Sequence, residues 1–141
     1  LQQVDQAEWK TLEDLEKQSA NELFHPLFGK EEFKKYIGKS KVFFVILNNE
    51  KIGTISYIDH GDYYEIDGMT VVPQHRRKGI AKIAFKKILN DPKEKKEWRL
   101  VTHPKNTASL LIYLKAGFKI DKWIDNYFGD GQPRLLLTKN K

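Results

Sequence analysis

The sequence predicts one mixed α/β domain, a mostly antiparallel sheet flanked by about four helices, and three observations carry that prediction. The chain has 141 residues, enough for one ordinary core and too few for two. The segment "KVFFVILNNEKIGTISYIDHGDYYEIDGMTVV" holds three runs rich in β-branched and aromatic residues, separated by the short polar turns "NNEK" and "DHGD". Turns that short join antiparallel neighbours, so the three runs form a meander. Beyond it, stretches of helical period alternate with strand-like runs, which places helices over a sheet.

From Ala7 to about Ser19, Trp9, Leu12 and Leu15 recur at helical spacing among charged residues, giving a surface helix with one buried stripe. "ANELFHPLFGK" is a loop broken by Pro26 and Gly29, and "EEFKKYIGK" is a short helix ending at Gly38. Phe24, His25 and Phe28 in that loop either line a pocket or, as aromatics more often do, cover the core. In the third strand run, Tyr63 to Val72, the interior Gly68 marks an irregularity or a close backbone approach.

A helix follows over Ile80 to Leu89, with Ile80, Ile83, Ala84, Ile88 and Leu89 on one side and Lys82, Lys86 and Lys87 on the other. "NDP" ends it, and "KEKKE" is a solvated connection. "WRLVTH" is a strand, and "NTASLLIYLKAG" is a helix capped by Asn106 or Thr107 and stopped by Gly117. "FKIDKWI" and "RLLLT" close the chain as two strands joined by the polar "DNYFGDGQP".

Composition narrows the function classes. Hydrophobic residues at 40% and charged residues at 31% favour neither the disordered nor the membrane class. The apolar runs "VFFVIL" and "LLIYL" are far too short to span a bilayer, and "LQQVDQAEWK" lacks the layout of an export signal, so the expectation is a cytoplasmic protein with no membrane partner. The absence of cysteine removes disulfides, thiolate metal sites and cysteine nucleophiles. His25, His60, His75 and His103 show no metal-ligand spacing, and no metal is expected. A net charge of +6 suits an anionic ligand, but no nucleic-acid module stands behind it, so no nucleic acid is expected. Most of the lysines read as a solvated surface. If the chain self-associates, a homodimer is the expected form.

The chemistry-bearing stretch is "TVVPQHRRKGIAKIAFKKIL", Thr70 to Leu89. It runs from a strand through Arg76, Arg77 and Lys78 to Gly79 and a helix start. Helix N-termini carry unpaired N–H groups and the positive end of the dipole, so this turn is suited to a phosphate or pyrophosphate. Gly79 admits close backbone approach and the small Ala81 leaves the first turn uncrowded. An ordinary basic loop would read the same way locally. Neither the P-loop nor the dinucleotide fingerprint is present, and no G-x-S-x-G elbow supports a serine hydrolase.

Arg76-Arg77-Lys78-Gly79-Ile80-Ala81 matches R/Q-x-x-G-x-G/A, and "NTASLLIYLKAGF" carries Asn106, Tyr113, Gly117 and Phe118 in order. With these two motifs the chain resembles the GNAT superfamily of acetyl-CoA-dependent N-acetyltransferases, over almost its whole length, from a stub of first strand at "LQQV" to the last strand pair. The resemblance implies a GNAT-like fold with a splayed strand pair, acetyl-CoA as co-substrate and an amine acceptor. It implies pyrophosphate binding around Arg76 and on the backbone amides of Arg77, Lys78, Gly79, Ile80, Ala81 and Lys82, main-chain contacts from Met69 and Val71 to the pantetheine arm, and a cofactor role for Asn106.

Acetyl transfer to an amine needs a neutral amine, a stabilised oxyanion and a protonated leaving thiolate. An alkylamine titrates near roughly 10, so a carboxylate must accept its proton directly or through water. Glu65 resembles the catalytic glutamate of histone-type members, with Asp67 on the same strand as the alternative; an exposed strand residue or a lysine partner is the plainer reading of Glu65. Tyr113 stands in the family's acid position, and backbone N–H near Val71 is the expected oxyanion donor.

The acceptor is read from "NELFHPLFG" and "DNYFGDGQPR", where Asp125, Tyr127 and Asp130 either hold a cationic amine or simply build turns. Val101 occupies the position where the similar ribosomal-protein branch has a glutamate, which places a small amine, polyamine or amino-acid-like acceptor ahead of a protein N-terminus or lysine. A non-catalytic acetyl-CoA sensor is the reading from another class.

Overall fold

The computed structural model describes residues 1–19, 27 and 29–141. Phe24, His25 and Phe28 lie outside the described residues. Seven strands are hydrogen-bonded in the order β1-β2-β3-β4-β5-β7-β6, and four α-helices accompany them among the described residues. The chain divides into two compact units, one of Leu1–Ile58 with Asp67–Pro92 and one of Asp59–Ile66 with Lys93–Lys141.

The first unit opens with β1 (Gln2–Gln3), a stub paired antiparallel to β2 through Gln2↔Phe44 and Gln3↔Phe43. Asp5 then closes a capping box: Asp5 Oδ1 accepts from the Ala7 N–H at 2.9 Å, and the Asp5 N–H donates to Glu8 Oε1 at 3.1 Å. The box launches α1 (Trp9–Gln18), which buries Leu12 and Leu15 as its spacing predicts. Glu13 and Glu16 are buried on the same helix, so the stripe is wider and more polar than its apolar residues indicate. Helix α2 (Lys30–Lys39) runs one residue past Gly38 to a C-cap at Ser40; Gly38 has no positive φ and is an interior helical residue, not the stop.

β2 (Lys41–Leu47) and β3 (Glu50–Asp59) form an antiparallel hairpin whose loop is only Asn48 and Asn49, with φ of 51° and 66°. Two left-handed residues make a primed turn, and asparagine tolerates that conformation better than most. β4 (Tyr63–Val71) belongs to this unit from Asp67 onward, and α3 (Ile80–Leu89) follows it. Leu12, Phe33, Phe44, Ile55, Phe85 and Ile88 are at most 0% exposed and form the core. Phe85 was not on the predicted apolar side of α3, whereas Ile83, which was, is 56% exposed. The buried face is thus Ala84, Phe85 and Ile88.

In the second unit, the first half of β4 pairs parallel with β5 (Glu97–Thr102), from Tyr63↔Glu97 to Ile66↔Leu100. β5 continues antiparallel to β7 (Arg134–Lys139) as far as Thr102↔Leu135, so its ladder with β4 stops two residues sooner. β6 (Lys119–Ile124) pairs antiparallel with β7 at the edge. Helix α4 (Thr107–Lys115) ends with Gly117 at φ 98°, where the Phe118 N–H donates to the Tyr113 carbonyl and the Gly117 N–H to that of Leu114. That pair of bonds is a Schellman motif, and it accounts for the predicted stop at glycine. No helix among the described residues is long and apolar enough to cross a membrane.

Candidate active site

The loop from Val71 to Ile80 is held from within the first unit. Val72 donates its N–H to the Ile52 carbonyl at 2.8 Å, and Pro73–His75 then forms a single 3-10 turn. Arg76 folds back so that Nε donates to the Val71 carbonyl at 2.9 Å. Arg77 (φ 64°) and Gly79 (φ 77°) are both left-handed. Two left-handed residues this close together turn the chain sharply just ahead of α3.

Gly79 is the N-cap of α3, and no side chain caps the helix. Its carbonyl accepts the first intrahelical bond, from Ile83 at 3.2 Å, so the N–H groups of Ile80, Ala81 and Lys82 have no partner inside the helix. A Cβ built on Gly79 meets nothing within 4 Å, so the approach to these amides is open. Arg76, Arg77, Lys78 and Gly79 are exposed, and Ile80 and Ala81 half-buried. Unpartnered N–H groups at a helix start suit an anion, and the cationic side chains of Arg77 and Lys78 are exposed beside them.

The sequence profile of the acetyltransferase (GNAT) family matches residues 2–118, which include this loop and both motifs. The chain belongs to that family. It is 31% identical over 72 residues to the UPF0157 protein YqkA of Bacillus subtilis (strain 168), a match over 51% of this chain and 21% of the relative. The chain thus spans about a fifth of the length of that curated relative. Among solved structures it is similar to a GNAT family acetyltransferase from Elizabethkingia anophelis with acetyl-CoA bound, at TM-score 0.70 and 23% identity over 80% of this chain and 84% of that one. It is also similar to a spermidine N-acetyltransferase SpeG chimera from Vibrio cholerae and hSSAT, at TM-score 0.81 and 15% identity over 99% and 93% of the two chains. At those identities the likeness establishes the fold: a mixed sheet with flanking helices, as predicted.

The other residues singled out by the sequence are described unit by unit. In the first, Met69 is half-buried and Val71 buried on β4, while Asp67 is exposed and accepts at Oδ2 from Ser40 Oγ at 2.8 Å. In the second, Glu65 Oε1 lies 2.8 Å from His60 Nε2, with both side chains about a third exposed at 31% and 33%. A histidine is therefore its partner, where the plainer sequence reading offered a lysine. Val101 is half-buried on β5.

Asn106 is the N-cap of α4 by position, but its side chain makes no capping bond. Thr107 Oγ1 turns back to the Lys105 carbonyl at 3.5 Å, so neither residue caps in the predicted way. Tyr113 is 7% exposed, with its ring 6.4 Å from that of Phe118. Burial pushes its phenol up to about 12, against a hydrogen bond with Ser109 that lowers it. Asp130 accepts from Arg134 Nη2 at 2.8 Å and from the Gln132 N–H at 2.9 Å, and Asp125 accepts from Trp123 Nε1 at 2.8 Å. Both carboxylates are engaged by their own turn.

One polar group escaped the sequence reading. Around β4 in the first unit, Thr54 Oγ1 donates to Glu16 Oε1 at 3.2 Å and lies 2.8 Å from Thr70 Oγ1, while the Tyr36 hydroxyl bonds Ser56 Oγ. Its one signal was positional: Glu16 follows Leu12 by four residues and Leu15 by one, within the buried stripe. Among the described residues, no three His, Asp or Glu side chains are gathered to hold a metal ion.

Proposed function

We propose that the protein transfers the acetyl group of acetyl-CoA to a primary amine by direct attack, with a small amine, polyamine or amino-acid-like acceptor ahead of a protein N-terminus or lysine. The observation that carries this reading is the turn of left-handed Arg77 and Gly79 leading into an N-terminus of α3 that no side chain caps. The residues present fit a pyrophosphate: open amides at Gly79, Ile80, Ala81 and Lys82, with the Arg77 and Lys78 charges exposed beside them. In this reading Arg76 shapes the turn, Met69 and Val71 offer main-chain groups to the pantetheine arm, and Asn106 offers the amide that its cap position leaves unused.

Bound acetyl-CoA supplies an activated thioester. Glu65 takes the proton that the amine must lose, and its bond to His60 gives that proton a further relay. Tyr113 remains protonated at neutral pH, since burial holds the phenol near 12. That lies well above an ordinary thiol, roughly 8.5, so the phenol acts by donating a hydrogen bond to the departing sulfur more than by surrendering its proton.

Acetyl-CoA-dependent thiol release across diamines, amino acids, aminoglycosides and short peptides, with Glu65→Gln in parallel, tests this reading. Selective release that is lost in the variant supports transfer with Glu65 as base. Equal rates move the base to Asp67 or to water. Acetyl-CoA binding with no release from any acceptor favours the sensor reading, and absence of acetyl-CoA binding in calorimetry at low salt overturns the proposal.

A further inference from the structure

Four elements of the first unit bring polar side chains to one short piece of β4. Glu16 comes from α1, Tyr36 from α2, Thr54 and Ser56 from β3, and Thr70 from β4 itself. Glu16, Thr54 and Thr70 form one hydrogen-bonded chain and Tyr36 with Ser56 a pair, and the pair flanks Gly68: a Cβ at that position would sit 3.5 Å from both Ser56 Oγ and the Tyr36 hydroxyl. The glycine therefore leaves room for a methyl group beside Ser56 and Tyr36, next to the Met69 and Val71 main chain assigned above to the pantetheine arm. Burial grades from exposed Asp67, through half-buried Gly68 and Tyr36, to Glu16 at 8% exposure.

The electrostatics are one-sided. Burial pushes the Glu16 carboxyl up to about 7, Thr54 pulls it down, and Asp67 adds to the rise. Among the described residues, the charge acting on Glu16 is Asp67's, and the two carboxylates together push the already buried Tyr36 phenol further up. Buried carboxylates are ordinarily matched by a cation. Among the described residues no cation pairs with Glu16, and a ligand can bring one.

We propose that Glu16, with the Tyr36 hydroxyl and Asp67, forms the part of the acceptor subsite that holds the distal ammonium of a diamine while its other nitrogen, neutral, is acetylated, so that diamines are preferred over α-amino acids, whose carboxylates these two acids repel. This rests on the acetyl-transfer reading above and adds the substrate class and the residue that sets it. An ammonium placed there donates to Glu16 and Tyr36 while its charge offsets both acids. An arylamine, neutral at pH 7, gains nothing from Glu16.

The test is calorimetric and kinetic. Titration of 1,4-diaminobutane into the wild-type protein and into Glu16→Gln, with and without coenzyme A, is expected to show binding weakened at least tenfold in the variant. With acetyl-CoA, KM for the diamine rises at least tenfold while kcat and the KM for an arylamine stay within twofold. Gln keeps the acceptor for Thr54 and removes a buried charge, so unfolding by urea is expected at an unchanged or higher midpoint. Tyr36→Phe serves as the second variant, with a smaller rise in diamine KM. A wild-type protein that does not bind the diamine, a Glu16→Gln variant with unchanged diamine affinity, or equal losses for diamine and arylamine overturns the assignment. Failure to bind acetyl-CoA overturns the transfer reading instead, while diamine binding by calorimetry still decides the subsite.

Discussion

Arg76 Nε donates to the carbonyl oxygen of Val71 at 2.9 Å, tying the end of β4 to the loop that leads into α3. The residue that the motif offers as a phosphate cation is thus anchored by its own backbone. Arg76→Ala is expected to cost about 1 kcal/mol in urea unfolding and to weaken acetyl-CoA binding severalfold. Arg77 makes a different kind of contribution, because its φ of 64° suits glycine. Arg77→Gly is expected to raise stability by about 1 kcal/mol, while the salt dependence of acetyl-CoA affinity becomes shallower. If both variants bind acetyl-CoA as the wild type does, the loop does not serve the pyrophosphate.

Tyr113 is expected to matter for turnover and not for affinity. Tyr113→Phe keeps the buried ring and removes the hydroxyl, so kcat should fall by about 100-fold with acetyl-CoA affinity unchanged. With its phenol near 12, wild-type activity should show no alkaline limb from this group below about pH 11. Rate profiles of the two proteins over the alkaline range check both statements.

Gly53 and Thr70 define a close backbone approach between β3 and β4. A Cβ on Gly53 would lie 2.2 Å from the Thr70 carbonyl oxygen and 3.1 Å from Val71 Cα. Neither atom is the flexible end of a side chain, so one strand would have to move. Gly53→Ala is expected to cost about 3 kcal/mol, read as a lowered urea midpoint or loss of soluble protein, and an unchanged midpoint would show that the strands yield.

Glu13 carries an acid-dependent part of the stability. Bonds from Lys10 Nζ, at 2.7 Å, and from the Gly29 N–H, at 2.9 Å, with help from Lys17, outweigh burial and hold its carboxyl down at about 2. A depressed folded value means the contribution is complete above the unfolded value, roughly 4.3, and disappears as pH falls through the folded one. The Tm of the wild type should therefore drop more than that of Glu13→Gln between about pH 5 and pH 2. Parallel slopes for the two proteins would remove Glu13 from that role.

The element order was legible because local signals agreed with one another. The meander with its polar turns, the amphipathic α1 and α3, and the glycine stop of α4 each appear where periodicity and turn chemistry place them. The misreadings have specific causes. Gly38 looked like a helix stop, but a glycine ends a helix through a left-handed residue, and Gly38 does not adopt one. Phe85 and Ile83 exchanged roles on α3 because a helix of ten residues is too short for spacing to choose between adjacent apolar positions. Asn106 looked like a cap by residue type, yet its side chain makes no capping bond.

The sequence by itself determined the mixed fold, the family and the loop of Arg76 to Ala81, since a strand, a glycine turn and a helix start are local features whose N–H groups follow from backbone geometry. The tertiary structure alone decided that Glu65 meets His60, that Tyr113 is buried, that Glu16 meets Thr54, and that Tyr36 meets Ser56 beside Gly68. Those encounters link residues on different elements, up to 38 positions apart for Glu16 and Thr54. Helical spacing shows that Glu16 lies in a stripe, but only packing against β3 shows what the stripe faces and how far water is excluded from it.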